Sequence, residues 1–511
     1  MKLQQLLQDL TEHPVMQDLT VNGLTQNSKT LQRGEVFVAL VGAHVDGRNY
    51  INDAISKGAI AILAEAQGKE AFSFPTTTKS PIIYINNLDE KLDDIASRFY
   101  GHPSQQFEQI IGVTGTNGKT TTCYLLAQAL SKLAKPCGFI GTIGSGFVPN
   151  LAAGAYTTPE PIVLQKTMQM LLAQGAKALC MEVSSHGLMQ SRVKSVNFTS
   201  AHFTNLTQDH LDYHGTMQAY GKAKQKLFEF QSLAHVVVNK DDPFSDKMIQ
   251  ALHKEIPVAA YTLQTKITSP SRIKPSLFFP LTLSKLALDQ KGINAMVDSP
   301  WGQGKLHSPL LGQFNVSNLL AVLAELCLQG FDFKVALDAL AHAQPAPGRM
   351  QKIGSVRTPQ VIVDYAHTPD ALENALKAAR LHCQRRLWCV FGCGGDRDKD
   401  KRSKMGDIAA TLADRIIITN DNPRTENPSK IIEEILQGVK AQYGEKVIVK
   451  EDRQEAIAYA IDHALAVDII LVAGKGHENV QIIQDKVYPF SDAQVVNTLL
   501  SEEKSEAFRN R

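Results

Sequence analysis

A glycine-rich turn that carries one lysine and several threonines has the residue types that most directly suggest chemistry. It reads Gly115-Thr-Asn-Gly-Lys-Thr-Thr121 and follows the apolar residues 110–113. From Thr120 onwards, apolar residues recur at helical spacing. The pattern predicts a strand, a phosphate-binding loop and a helix.

Such a loop can bind the phosphates of a nucleotide. Small residues let backbone N–H groups approach phosphate oxygens at the positive end of a helix, while Lys119 adds a cation and Thr120 a hydroxyl for magnesium. The strict Walker spacing has glycine where this chain has Val113. An ordinary tight connection between strand and helix is the alternative, and the Lys-Thr-Thr sequence disfavours it.

The composition is that of a globular protein. The 511 residues predict about three domains, 43% of them are hydrophobic, and 53 Lys and Arg nearly balance 51 Asp and Glu. We therefore expect no bulk attraction to nucleic acid or anionic lipid. No apolar run approaches the roughly 18 residues that span a bilayer, so we expect a cytoplasmic protein without membrane insertion. Seven cysteines without a Cys-x-x-Cys pair indicate neither a disulfide framework nor a zinc site.

Alternating strands and helices predict the elements that position the loop. Residues 1–103 predict a small α/β domain, with a short amphipathic helix at 1–10 and strands at 34–41 and 59–63. Residues 104–343 predict a central domain with a mostly parallel sheet, interrupted at 264–308 by an irregular, β-rich insertion. Residues 344–511 predict a second doubly wound domain without its own phosphate loop.

Three sets of polar residues in the central domain are candidates for a site beside the phosphate loop. Glu182 ends a predicted strand, where a carboxylate could hold the magnesium of a nucleotide or could simply be solvated. His210 and His214 lie four apart, as in a zinc pair on a helix, but the Glu of His-Glu-x-x-His is absent. The favoured interpretation is therefore a single His that binds magnesium or forms a hydrogen bond. On composition alone, Lys222, Lys224 and Lys226 would form a solvated basic face.

Polar clusters follow four strands of the C-terminal domain, at 364–370, 392–398, 420–426 and 474–478. Each could be ordinary turn chemistry. Because all four fall on one edge of one sheet, a binding cleft is the better interpretation.

The motifs together resemble the MurE branch of the Mur ligases over nearly the whole chain. The resemblance rests on the phosphate loop, Glu182-Val-Ser-Ser-His-Gly187, Asn205-Leu-Thr-Gln-Asp-His-Leu-Asp-Tyr-His-Gly215, Pro347-Gly-Arg-Met350, Asp364-Tyr-Ala-His-Thr-Pro-Asp370 and Gly474-Lys-Gly-His-Glu478. It implies an N-terminal UDP-binding domain, a central ATPase and a C-terminal Rossmann-like domain that carries an amino acid.

The resemblance also implies a reaction. These enzymes use ATP to add the third residue of the peptidoglycan stem peptide to UDP-N-acetylmuramoyl-L-alanyl-D-glutamate. The carboxylate is first phosphorylated to an acyl phosphate, because oxide is a poor leaving group, and the amine then displaces phosphate. We expect a monomer that requires ATP and Mg²⁺.

The resemblance assigns roles to individual residues. The ATP contacts are Gly115, Thr116, Asn117, Gly118, Lys119, Thr120, Thr121, Asn318, Arg349 and Asp364. The magnesium ligands are Thr120, Glu182, His210 and Lys224, with Lys119, Glu182, His210 and Lys224 forming the catalytic set. Lys224 aligns with a lysine that the family carbamylates, which requires a neutral amine and hence a depressed pKa. Lys222 and Lys226 lie close enough to leave that assignment open.

The nucleotide-sugar and the amino acid are assigned in the same way. The UDP-sugar contacts are Ser28, Ala43, His44, Val45, Tyr156, Thr157, Thr158, Ser184, Gln190 and Arg192. The chain departs from the family where Asn27-Ser-Lys29 replaces Asp-Ser-Arg and Tyr156 replaces Asn. The amino-acid contacts are Arg397, Asp421, Asn422, Pro423, Arg424, Gly474 and Glu478.

The sequence Asp421-Asn-Pro-Arg424 resembles the form found in enzymes that add meso-2,6-diaminopimelate. A guanidinium can bind the distal carboxylate of diaminopimelate through two hydrogen bonds. Lysine has no such carboxylate and would bring its ammonium towards the positively charged guanidinium. Three alternatives remain: a lysine-adding MurE, a folylpolyglutamate synthetase, and a non-catalytic nucleotide-binding scaffold.

Overall fold

The computed structural model describes residues 1–10, 18–42, 45–72, 80–270, 273–289, 291–355 and 358–509, with side chains as far as residue 501. The chain folds into two compact units. The first comprises residues 1–119, 130–259 and 269–278, and the second comprises residues 120–129, 260–268 and 279–511.

The first unit begins with a small α/β layer. Its elements are α1 (Leu3–Leu6), β1 (Gly23–Thr25), β2 (Glu35–Ala39), α2 (Ile51–Ser56), β3 (Ala61–Glu65), β4 (Ile82–Ile85) and α3 (Leu88–Phe99). The four strands pair in parallel in chain order. Helices cover both faces of the sheet, with Leu92 and Ile95 on one side and Ile51 and Ala54 on the other, which is why β3 is buried throughout. The helix expected at 1–10 is a single turn.

The central sheet holds the phosphate loop and belongs to the first unit, apart from residues 120–129 of the helix after the loop and residues 260–261 of the last strand. Its elements are β5 (Gln109–Thr114), α4 (Lys119–Lys132), β6 (Cys137–Gly141), β7 (Gly144–Phe147), β8 (Asn150–Ala152), α5 (Pro161–Ala173), β9 (Ala178–Glu182), α6 (Ser185–Met189), β10 (Ser200–Phe203), α7 (Leu211–His214), α8 (Met217–Gln225), β11 (His235–Asn239), α9 (Ser245–Gln250) and β12 (Val258–Tyr261). The strand order is β11-β10-β5-β9-β6-β7-β8. The first five are parallel, so the residues that follow β5, β9 and β10 emerge at one edge.

The second unit starts with an antiparallel meander and two helices. They are β13 (Phe278–Asp289), β14 (Gly292–Ser299), β15 (Gly302–Ser308), α10 (Gln313–Leu328) and α11 (Phe333–Ala341). The β-rich pattern expected at 264–308 is confirmed by these strands, which pair in order with one register shift between Leu283 and Lys285. The second half of β13 is mostly exposed.

The rest of the second unit is a doubly wound layer. Its elements are β16 (Gln351–Ile353), β17 (Gln360–Asp364), α12 (Pro369–His382), β18 (Leu387–Phe391), α13 (Asp400–Leu412), β19 (Arg415–Ile418), α14 (Pro428–Leu436), β20 (Val447–Val449), α15 (Arg453–His463), β21 (Ile469–Ala473), β22 (Val480–Ile483), β23 (Lys486–Pro489) and α16 (Asp492–Arg509). The sheet order is β16-β17-β21-β18-β19-β20, parallel except for β16. The polar segments after β17, β18, β19 and β21 therefore share one edge, as predicted.

None of the helices in the described part of the chain is both long enough and apolar enough to cross a membrane.

Candidate active site

The phosphate loop between β5 and α4 is braced by the residues that follow β10. The Thr116 and Asn117 N–H groups donate to the main-chain and side-chain oxygens of Asn205 at 2.8 and 2.9 Å. The Thr204 hydroxyl donates to the Asn117 carbonyl at 2.6 Å. Gly115 has a φ of +147°, and a Cβ there would lie 1.9 Å from the Thr204 hydroxyl, so only glycine fits.

Two lysines converge on this loop. Lys119 Nζ donates to the carbonyls of Gly115 and Thr116 at 2.8 and 2.9 Å. Lys224 Nζ donates to the same Gly115 carbonyl at 2.9 Å and lies 4.2 Å from the centre of the Tyr220 ring. Lys224 is 1% exposed, and burial, followed by the charge of Lys119, holds its pKa well below the ordinary value. The structure thus buries Lys224, whereas Lys222 and Lys226 are exposed.

His210 lies immediately before α7 and not within it. Its φ is +52°, so His210 and His214 do not share a helix face, contrary to the pattern that could have indicated a zinc pair. The His210 ring packs edge-on against His186 and Tyr220, with centroids 4.9 and 5.9 Å apart. Through the Tyr220 ring, His210 belongs to the same cluster as Lys224.

Glu182 is fully buried at the end of β9, so the alternative of a solvated strand-end carboxylate is wrong. Its two carboxylate oxygens accept from the N–H and the hydroxyl of Thr142 at 2.8 and 3.2 Å. The Thr142 hydroxyl also bonds the Thr157 hydroxyl at 2.9 Å. A Cβ at Gly141 would lie 2.1 Å from the Glu182 carboxylate, so a glycine is needed beside it.

The residues assigned to the sugar-peptide substrate form one network beside Glu182. The Ser184 N–H donates to the Thr158 hydroxyl at 2.9 Å. The Arg192 guanidinium donates to the Thr158 carbonyl at 2.8 Å and to the Gln190 side chain at 2.5 Å. The ring of Tyr156, the departure from the family pattern, lies 4.8 Å from the Arg192 guanidinium carbon. Tyr156 therefore shields one face of Arg192.

The residues assigned to the uridine side are only partly described. Ser28 is buried, and its carbonyl accepts from Lys57 Nζ at 2.9 Å. Val45 is 54% exposed. Ala43 and His44 lie outside the described residues.

Among the predicted nucleotide contacts of the second unit, Asn318 is tied to the first turns of α4. Thr120 and Thr121 are buried there, and the Thr122 hydroxyl donates to the Asn318 side-chain oxygen at 3.2 Å. The Asn318 amide in turn donates to Asn315 at 2.9 Å, as their spacing on one helix face predicts.

Arg349 and Asp364 lie close together at the exit of the 344–350 linker. The Asp364 carboxylate accepts from the N–H groups of Met350 and Ala366 at 2.7 and 2.9 Å. The Arg349 guanidinium carbon lies 4.8 Å from the centre of the Tyr365 ring. A cation and an aromatic face are thereby presented next to the end of β17.

Most of the predicted amino-acid contacts lie close together at the edge of the C-terminal sheet, in what we call the amino-acid pocket. The Asn422 amide donates to Glu478 Oε2 at 2.9 Å, and Arg424 Nη1 donates to the Gly395 carbonyl at 2.8 Å. A Cβ at Gly474 would lie 2.6 Å from the Asp421 carboxylate, and one at Gly395 would lie 1.9 Å from the Pro423 carbonyl. Arg397 is exposed on the loop that follows β18.

Sequence reasoning missed several residues that support these groups. Thr204 and Asn205 directly follow β10, and the strand-end argument applied to Glu182 would have found them. Thr142 follows β6 in the same way. Lys475 lies inside the motif at 474–478, in which only Gly474 and Glu478 were predicted to bind the amino acid. Arg453 lies within a helix, where no motif marks it.

Comparison with known proteins extends over the whole chain. Family models described as "Mur ligase family, catalytic domain", "Mur ligase middle domain" and "Mur ligase, glutamate ligase domain" match residues 20–100, 113–326 and 348–476. Together they confirm the predicted three-domain α/β class. The predicted boundaries 1–103, 104–343 and 344–511 stay a prediction.

Individual relatives cover nearly the same length. The UDP-N-acetylmuramoyl-L-alanyl-D-glutamate--2,6-diaminopimelate ligase of Coxiella burnetii is 47% identical over 96% of this chain and 98% of its own. The protein of that name from Vibrio vulnificus is 43% identical over 98% of both. A solved structure of a ligase with that name has a TM-score of 0.68 at 33% identity and covers 99% of both chains. With full-length relatives at this identity and three matching domain models in order, the chain belongs to the Mur ligase family.

Proposed function

We propose that the protein is an ATP-dependent ligase that joins meso-2,6-diaminopimelate to UDP-N-acetylmuramoyl-L-alanyl-D-glutamate, in peptidoglycan precursor synthesis. ADP and phosphate are the other products. The relatives that match over almost their entire length carry the name of this activity.

The observation that carries the choice of amino acid is the pocket around Asn422. It offers a guanidinium from Arg424 and a carboxylate from Glu478, the latter bonded to the Asn422 amide. The distal centre of diaminopimelate carries both a carboxylate and an ammonium, so it can use both groups. Lysine has the ammonium alone and would leave Arg424 without an anion.

The phosphate loop supports the use of ATP. Its N–H groups and Lys119 suit the nucleotide phosphates, and Glu182, Thr157 and Arg192 lie in the connected network where the acyl substrate is assigned. We propose that the γ-phosphoryl group passes to the glutamate carboxylate, and that the amine of diaminopimelate then attacks the acyl phosphate.

We include magnesium in the proposed reaction because four side chains carry groups that can bind this ion. Glu182 provides carboxylate oxygens, His210 an imidazole and Thr120 a hydroxyl, and a carbamate on Lys224 would add an oxygen ligand. When bound, the ion would neutralise phosphoryl charge. The chain's own contribution is to bury Glu182 against Thr142 and to lower the pKa of Lys224 by burial.

The test is turnover with defined substrates. Purified protein, ATP, Mg²⁺ and the UDP-linked dipeptide are combined with meso-diaminopimelate, with L-lysine or with neither, and phosphate release and product mass are both measured. We expect a product heavier by one diaminopimelate residue, at a rate at least 100-fold above that with lysine. A faster reaction with lysine would point to the lysine-adding alternative, and absence of turnover with either amino acid would overturn the proposal.

A further inference from the structure

Lys475 is a buried cation beside the amino-acid pocket. Its side chain is fully buried, in the segment that follows β21. Its Nζ contacts Asn422 Oδ1 at 3.0 Å and Glu478 Oε2 at 2.9 Å. Burying an ammonium costs free energy even when it is paired, so stability alone is a weak reason for a lysine here.

The three side chains form a closed triangle. Asn422 Nδ2 donates to Glu478 Oε2 at 2.9 Å, which completes the two contacts made by Lys475. An ammonium can only donate, so Lys475 requires the oxygen of the Asn422 amide on its own side and turns the NH₂ group towards Glu478. The Ile482 N–H, which donates to the same oxygen at 3.0 Å, favours the same orientation.

The triangle also directs the Glu478 carboxylate. Among the described residues, both of its side-chain hydrogen bonds are made by Oε2, from Lys475 and Asn422. Oε1 then keeps its capacity to accept from an incoming ammonium. Without Lys475, the carboxylate and the amide could each rotate.

We propose that Lys475 is a positioning residue for amino-acid selection, which orients Asn422 and Glu478 so that Glu478 Oε1 accepts from the distal ammonium of diaminopimelate. The inference rests on the proposed function, because it assigns the amino acid to this pocket. Lys475 acts through its two neighbours and does not touch the substrate.

The backbone of both segments is anchored separately, so loss of the ammonium should leave the fold intact. Arg453 is fully buried, and it pairs with Asp492 at 2.7 Å. Its guanidinium also donates to the carbonyls of Asn420 and Ala473 at 3.3 and 2.9 Å, just ahead of the two segments. A change at Lys475 is therefore expected to reorient side chains and not the main chain.

The experiment compares Lys475→Met and Lys475→Gln with wild type, with Glu478→Gln and with the double variant Lys475→Met/Glu478→Gln. Steady-state KM is measured separately for diaminopimelate, ATP and the UDP-dipeptide, together with kcat and the unfolding midpoint. Lys377→Met is the matched control, because Lys377 forms an exposed ion pair with Glu373 in the same unit.

We expect the KM for diaminopimelate to rise about 10- to 100-fold in both lysine variants, as the loss of a hydrogen bond to a charged group predicts. The KM values for ATP and the UDP-dipeptide should stay within about twofold of wild type. Lys475→Met should add little in the Glu478→Gln background, because it acts through Glu478.

Three outcomes would overturn the inference. The first is an unchanged KM for diaminopimelate in the lysine variants. The second is a rise in this KM in the double variant equal to the product of the rises in the two single variants. The third is failure of both lysine variants to fold, which would make Lys475 a residue of the fold alone. Absence of diaminopimelate turnover in wild type would instead contradict the proposed function, so the two failures are distinguishable.

Discussion

Lys119 and Lys224 donate to one acceptor, the carbonyl oxygen of Gly115, at 2.8 and 2.9 Å. Two ammonium groups this close repel each other, and Lys224 is the more deeply buried of the two. The pKa of Lys224 is accordingly lowered well below its ordinary value, by burial first and by Lys119 second. The lowered pKa favours the neutral amine, which is the form of Lys224 that reacts with carbon dioxide.

We predict a carbamate on Lys224. Protein equilibrated with ¹³C-bicarbonate should show a carbamate ¹³C resonance that disappears in Lys224→Gln and persists in Lys222→Gln and Lys226→Gln, the exposed neighbours. Ligase turnover should fall at least 100-fold in Lys224→Gln alone, since a ligand for the cation is lost. A resonance that survives in Lys224→Gln would refute the assignment.

Arg424 should decide the choice of amino acid. Its φ is +51°, so Arg424→Gly removes the guanidinium without backbone strain and is a better test than Arg424→Ala. We expect the KM for diaminopimelate to rise about 100-fold or more in Arg424→Gly, because the distal carboxylate loses its partner. Arg424→Lys should recover only part of the loss, since an ammonium lacks the fork of donors.

Selectivity in the same variants provides the control. The turnover ratio of diaminopimelate to L-lysine is measured with ATP and UDP-dipeptide saturating. The ratio should fall in Arg424→Gly while the KM for ATP stays unchanged. An unchanged ratio would mean that the selectivity does not come from the guanidinium.

Local patterns were sufficient for much of the fold. The four polar clusters predicted to follow strands of the C-terminal sheet do follow β17, β18, β19 and β21, because strands buried on both faces read as continuous apolar runs. The phosphate loop was equally visible, since its glycines and lysine are contiguous in the chain. The meander at β13–β15 was harder to predict, because the second half of β13 is mostly exposed.

Contacts between distant segments were the part that the sequence could not supply. The Thr142 groups that hold Glu182 come from 40 residues earlier in the chain. The left-handed backbone of His210 depends on where α7 begins, which spacing alone does not determine. The burial of Lys475 follows from the packing of its segment against Asn422, whereas a lysine in a glycine-rich segment reads as solvated.

Gly348 is predicted to be indispensable for the segment that follows β21. It has a φ of +65°, and a Cβ would lie 2.1 Å from the His477 nitrogen and 2.2 Å from the Gly476 carbonyl carbon. Both are backbone atoms, so Gly348→Ala must displace the segment that carries Glu478. We expect it to lower the free energy of unfolding by about 2–4 kcal/mol and to raise the KM for diaminopimelate.

Gly330→Ala is the matched control for this prediction. Its φ is +88°, but in the described part of the chain no atom beyond its sequence neighbours lies within 4 Å of the added Cβ. Gly330→Ala introduces the left-handed backbone strain without the steric clash. It should lower the free energy of unfolding by only about 1 kcal/mol. Equal losses in the two variants, measured by urea unfolding, would show that the contact with His477 is unimportant.

Asp93 should make the stability of the protein depend on pH. It lies fully buried on α3, where its carboxylate accepts from Gln165 Nε2 at 2.7 Å and from the Ser195 N–H at 2.6 Å. Burial outweighs these two bonds and, with the charge of Asp94, raises the pKa of Asp93 to about 7. The unfolded chain releases this proton near pH 4, so between about pH 4 and pH 7 the folded state binds more protons and stability falls as pH rises.

Asp93→Asn should remove that dependence. The new amide can accept from the Ser195 N–H. Once the Gln165 amide turns over, it can also donate to Gln165 Oε1, which has no hydrogen-bond partner among the described residues of wild type. We expect the variant to be more stable than wild type by about 1–3 kcal/mol at pH 8, with the advantage gone at pH 5, by urea unfolding of the full chain. Asp89→Asn, on the exposed side of the same helix, should change the free energy by less than about 1 kcal/mol. A stability difference between Asp93→Asn and wild type that is the same at pH 5 and pH 8 would show that Asp93 stays ionised when buried.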